Sequence, residues 1–142
     1  MAQDLIAQAS TTIHAPASKV WDALTRPDLI KRYFFGTNVV TDWKVGSPIY
    51  YRGEWQGRSY EDKGTILEVE PDRKLVSTHW SPLSGVPDRP ENYHTVSYLL
   101  SEHNGMTDVT IQQDHNASAD EQQHSAENWR MVLDGLKKLV ET

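Results

Sequence analysis

The sequence predicts an α+β fold: a curved antiparallel β-sheet around a long amphipathic C-terminal helix, with two short helices after the first strand. Three observations carry this. Residues 118–141 join a capping signal to a sustained 3.6-residue apolar period. Residues 39–114 alternate strand and turn signals with no helical period. Pro16 and Pro27 each open a short stretch of helical pattern between the first strand and that region.

Taken in order, Leu5–His14 is rich in Ile and Thr and reads as a strand. Ala15–Leu24 reads as a helix, with Val20, Ala23 and Leu24 at i, i+3 and i+4. Pro27 starts a second short helix, from Asp28 to about Phe34. Val39-Val40 is a short strand candidate, and Val45–Pro48 a turn. Strands follow at Ile49–Trp55, Tyr60–Glu70 and Leu75–Trp80, separated by Gln56-Gly57 and Pro71-Asp72. Ser81–Glu91, with prolines at 82, 87 and 90, reads as an irregular loop. Asn92–Glu102 and Met106–Asp114 flank Asn104-Gly105, the dipeptide that favours a two-residue hairpin turn. Ser118-Ala119-Asp120-Glu121 is a capping box. Beyond it Ala126, Trp129, Val132, Leu133, Leu136, Leu139 and Val140 form the apolar stripe of a helix over 119–141, roughly 34 Å long.

Composition narrows the function. The 142 residues fit a single domain, 1–142, large enough to bury a core without staples. With no cysteine, disulfides, thiol catalysis and thiolate metal sites are excluded. The N-terminus lacks the pattern of a signal peptide, and no run approaches the ~20 apolar residues of a membrane span. A cytoplasmic location and no membrane insertion are therefore expected. A net charge of −6, with adjacent basic residues only in isolated pairs such as Lys31-Arg32 and Lys137-Lys138, argues against nucleic acid as a partner. Five tryptophans and six tyrosines suit cavity walls, where a polar tip sits on an apolar body.

Four segments carry a family likeness: Ile13–Thr25, Gly64–Pro71, Lys74–Trp80 and Trp129–Leu136. Through them the chain resembles the START/Bet v 1-like superfamily (SRPBCC), in the branch named for its similarity to the activator of heat-shock protein 90 ATPase. The likeness spans nearly the whole chain. It implies a helix-grip (Bet v 1-like) fold with a deep apolar cavity. It does not imply one activity, because members bind lipids, hormones or polyketides and a few are cyclases or hydrolases. Asn128 departs from many relatives, which carry Gly before the tryptophan, and adds a polar group near the cavity mouth.

Catalytic and metal chemistry find little support in the residues. None of the six histidines pair at i, i+2 or i, i+4, so no metal site is expected. No G-x-S-x-G elbow or phosphate loop occurs, and no cofactor is expected. Glu54, Glu61, Asp62, Glu68 and Glu70 read as charges in the strand region, at least some of them solvated on the outer face. His79-Trp80 and Asn92-Tyr93-His94 flank the proline-rich loop, which places His79 and His94 on neighbouring strands. The stripe through Trp129 and Leu133 forms the cavity floor in a helix-grip fold, opposite Tyr51, Trp55 and Tyr98. Counting in twos from Val96, Leu100, Val109 and Ile111 turns Gln113 inward as well.

The expected ligand-binding set is therefore Phe34, Tyr51, Trp55, His79, Trp80, His94, Tyr98, Gln113, Trp129 and Leu133, with no catalytic residue assigned. The expected function is binding of a small apolar, aromatic or lipid-like molecule, by a monomer or homodimer. Two alternatives stand behind it. One is a cyclase- or hydrolase-like enzyme using His79, His94 or Tyr98 as acid–base groups. The other is a co-chaperone-like role, for which the chain offers no room for an additional chaperone-binding domain.

Overall fold

The computed structural model describes residues 5–142, except for the side chain of Trp55. The elements are β1 (Leu5–Ile13), α1 (Ala17–Thr25), α2 (Pro27–Tyr33), β2 (Asn38–Val40), β3 (Pro48–Trp55), β4 (Arg58–Glu70), β5 (Lys74–His79), β6 (His94–His103), β7 (Met106–Asn116) and α3 (Ala119–Glu141). The seven strands form one sheet in the order β1-β7-β6-β5-β4-β3-β2. Every pairing is antiparallel. The predicted α+β helix-grip architecture is what the chain adopts.

The turns follow from their residues. Asn104 (φ 51°) and Gly105 (φ 75°) close the β6–β7 hairpin, with His103 opposite Met106. Gln56 (φ 51°) and Gly57 (φ 77°) join β3 to β4 in the same way, so β4 begins at Arg58 rather than at Tyr60. The proline-rich segment is not wholly irregular. It holds two 3₁₀ turns, Pro82–Ser84 and Pro90–Asn92, each with proline at a first position where its missing N–H costs nothing.

Curvature has a local origin in β4. The β4–β5 register shifts between Ile66 and Glu68, and an isolated bridge ties Lys63 to Trp80. At Gly64 the two strands come so close that an added Cβ would lie 1.7 Å from the Thr78 carbonyl oxygen. Glycine is therefore required there by close approach, not by an unusual φ.

One face of the sheet is buried. Val96, Tyr98 and Leu100 of β6 and Val109 and Ile111 of β7 alternate inward and meet Val132, Leu133, Leu136 and Val140 of α3. A second cluster, Ile30, Val39, Ile49, Tyr51 and Ile66, lies beneath α2 at the other end of the sheet.

The Ser118 cap forms as read, and Glu121 reaches back one residue beyond it. Ser118 Oγ accepts from the Glu121 amide at 3.1 Å, and Glu121 reaches back to the Ala117 N–H at 3.0 Å. From there α3 runs alongside β1. Gln122 Nε2 donates to the Ile6 carbonyl, Lys137 Nζ to the Thr12 carbonyl, and the His14 amide to Glu141. The helix is thus moored at the β1 edge, and its first turns stand away from β3, β4 and β5.

Candidate functional site: a pocket between the grip helix and the bent strands

That separation leaves a pocket of about 580 Å³, within the range of roughly 300–1,000 Å³ usual for small-molecule sites. Phe34, at the end of α2, makes one wall. Its ring stacks on Tyr51 (centroids 6.0 Å apart) and meets Trp129 edge-on at 5.9 Å. Trp129 also meets Tyr98 edge-on at 6.1 Å. Four aromatic rings from α2, β3, β6 and α3 therefore form a continuous surface.

Two polar ends bracket this surface. At the helix end, Trp129 Nε1 donates to Gln113 Oε1 at 2.8 Å. The Gln113 amide nitrogen then faces Asn116 Oδ1 and Ser125 Oγ, each at 3.4 Å. At the β3–β4 end, Asp62 lies opposite Tyr51, and Asp62 Oδ2 lies 3.0 Å from His79 Nε2. Tyr51 packs edge-on against the His79 ring at 5.4 Å. Gly53 faces Tyr60 across the hairpin, and its missing side chain makes room for the Tyr60 ring: a Cβ there would lie 2.6 Å from the Tyr60 hydroxyl. That hydroxyl and Thr37 Oγ1 are 3.0 Å apart.

Burial keeps the phenols protonated. It pushes Tyr51 up to about 12, an effect the nearby Ser77 hydroxyl reduces and the Asp62 charge increases. Burial likewise holds Tyr98 well above the ordinary tyrosine range, with Tyr51 and Tyr33 adding to the effect. At neutral pH both are hydrogen-bonding groups without charge.

The rim is apolar and strained. Phe35 is 60% exposed and Leu83, from the proline-rich loop, 52%. Both border the opening. Phe35 sits at φ 54°, a left-handed conformation costing roughly 1–2 kcal/mol for such a residue, with Gly36 at φ 72° continuing the turn.

Of the residues expected in the site, Phe34, Tyr51, His79, Tyr98, Gln113 and Trp129 line this pocket together. The side chain of Trp55 lies outside the described residues. Three others do not line it. Trp80 follows His79 and so points to the outer face, where it stacks on Tyr93 and donates to the Val86 carbonyl. His94 is directly opposite His79 and on the same face, but its ring is directed toward β7 and the start of α3, with Nδ1 donating to the Asp114 carbonyl at 2.8 Å and Nε2 3.9 Å from Glu121. Leu133 is 1% exposed and fills the core beneath the pocket instead of facing it.

The sequence reading overlooked Tyr60 and Asp62. A signal was present. Ile66 is fully buried, and counting back in twos along β4 brings Gly64, Asp62 and Tyr60 to the same inward face. Reading Asp62 with the solvated charges hid the carboxylate that faces the pocket.

Among the described residues, no group of three or more His, Asp or Glu side chains is placed to hold a metal. Among the same described residues, no helix is long and apolar enough to cross a membrane.

A seven-stranded sheet gripping a long C-terminal helix, with an aromatic pocket between them, defines a Bet v 1-like (SRPBCC) protein of the helix-grip class. Residues 14–141 match the family described as Activator of Hsp90 ATPase homolog 1-like protein, and the chain belongs to it. The protein ChR145 from Cytophaga hutchinsonii has a solution structure similar over 99% of this chain and 97% of its own, with 51% identity and a TM-score of 0.87. The crystal structure of NE0264 from Nitrosomonas europaea is similar at 22% identity and a TM-score of 0.76, covering 96% and 94% of the two chains. The Aha1 dimer from Colwellia psychrerythraea shares the fold at 20% identity and a TM-score of 0.75, covering 96% of each chain. No curated protein matches the sequence.

Proposed function

We propose that the protein is a cytoplasmic binding protein for a small apolar or aromatic molecule held in the pocket between α3 and strands β3–β6. The observation that carries this is the unfilled space itself. About 580 Å³ walled by Phe34, Tyr51, Tyr98 and Trp129 stands beside a core that is otherwise well filled. A cleft of this size, open at the Phe35 and Leu83 rim and walled by aromatic rings, gives an apolar ligand surface to bury away from water.

The test is thermal unfolding of the full chain against a library of lipids and aromatic compounds, with native mass spectrometry of protein purified from its own host. A ligand at 100 times its dissociation constant should stabilise by about 2.7 kcal/mol, a shift of several degrees. Failure of every library member, together with an empty native mass, would sink the reading. The same mass spectrum separates a monomer from a homodimer.

A second reading has one observation in its favour. The His79–Asp62 pair in the pocket wall is a carboxylate–imidazole arrangement able to move a proton, as a cyclase- or hydrolase-like enzyme needs. It would be supported if His79→Ala abolished turnover of a bound substrate while leaving its affinity intact.

A further inference from the structure

The polar groups of the pocket are not equally satisfied. Gln113 and Ser125 bond within the Trp129–Asn116 network, and Tyr60 and Thr37 bond each other. Asp62 differs. Its carboxylate is 16% exposed, its Oδ2 meets His79, and its buried Oδ1 has no hydrogen-bond partner among the described residues. Leaving a buried carboxylate oxygen unpaired is costly, and such groups normally find a donor. Among the described residues no lysine or arginine lines the pocket to supply one.

We infer that the occupant of this pocket carries a hydrogen-bond donor, a hydroxyl or a protonated amine, on its apolar body, and that Asp62 is the residue that receives it. The inference rests on the ligand-binding reading above and adds the chemical class. The carboxylate torsion is soft, so a turn about χ2 can bring an oxygen to the pocket wall that Asp62 already lines. Tyr51 lies directly across the strand pair from Asp62, so the apolar body of the ligand has a ring to pack on beside the carboxylate. The negative charge of Asp62, with no lining cation to offset it, rejects a carboxylate-bearing ligand such as a fatty acid.

Four probes sharing one ring system test this by calorimetric titration of the full chain at neutral pH: naphthalene, 2-naphthol, 2-naphthylmethylamine and 2-naphthoate. The hydroxyl or the amine probe is expected to bind about tenfold tighter than naphthalene, and 2-naphthoate about tenfold weaker than 2-naphthol. Asp62→Asn, of nearly the same shape, removes the charge and should abolish both the amine's lead and the rejection of 2-naphthoate, while its amide oxygen still accepts from the naphthol hydroxyl. A lead for the amine assigns a cationic ligand and a lead for the naphthol a neutral one, and either upholds the inference. Equal binding of all four, or a preference for the carboxylate, would mean that Asp62 is satisfied inside the protein and would overturn the inference while the ligand-binding reading stands. No binding by any of the four would also overturn the inference, while the ligand-binding reading stands or falls with the library and the native mass. The wild-type ranking alone decides should Asp62→Asn fail to fold.

Discussion

The two halves of α3 meet the same sheet face and end in different results. Its C-terminal half presents Val132, Leu133, Leu136 and Val140 to Ala9, Ile13, Val109 and Ile111, and that region is filled. Its N-terminal half presents Ser125, Asn128 and Trp129 to Tyr51, Asp62 and His79, and there a pocket remains. Both halves belong to one continuous helix, so backbone geometry does not separate them. The side chains do. Aliphatic residues from α3, β1 and β7 interdigitate, whereas rigid rings and paired polar groups hold each other apart. The filled half provides stability, and the open half is where specificity for a ligand can reside.

Leu136→Ala tests the filled half and carries the largest expected effect. Leu136 is fully buried, and its truncation should cost about 2–5 kcal/mol through lost burial and a new cavity. Chemical denaturation measures it. A loss below about 1 kcal/mol would mean that this half can also relax, and the contrast between the halves would collapse.

Smaller, and specific to the open half, is the response to alkaline pH. Tyr51 titrates near 10.0 when unfolded and at about 12 when folded, because the folded state resists ionising a buried phenol. Its contribution is therefore fully present below pH 10 and is lost as pH rises through about 12. By pH 12 the loss is on the order of 2 kcal/mol. Tyr51→Phe should flatten the fall between pH 10 and pH 12 in a denaturant titration, and an unchanged slope would show that other groups control it.

What the sequence disclosed of these halves differs for a physical reason. The filled half is written in periodicity: the stripe from Val132 to Val140 and the alternation of Leu100, Val109 and Ile111 each follow from local spacing. The open half depends on how strands end and bend. His79 and His94 are opposite each other as read, yet only their different hydrogen-bond partners decide which one faces the pocket. Asp62 is inward because β4 keeps its alternation through Gly64, and the need for glycine there comes from the approach of Thr78, which no single-strand pattern contains. Alternation also places Trp80 outside, and its nearness to His79 in sequence obscured that.

The smallest effect is expected at the junction of the two halves. Trp129→Phe keeps a ring against Phe34 and Tyr98 but removes the indole N–H that Gln113 Oε1 accepts at 2.8 Å. Because the pocket borders that oxygen, water can replace the lost donor, and stability should fall by only about 1 kcal/mol. Ligand affinity should change more than stability, since Gln113 is then free to turn toward the pocket. Melting temperature and binding of the same probe, measured on one preparation, separate the two. If stability fell by as much as in Leu136→Ala, Trp129 would belong to the filled half, and the boundary between core and pocket would lie one helical turn nearer the N-terminus of α3.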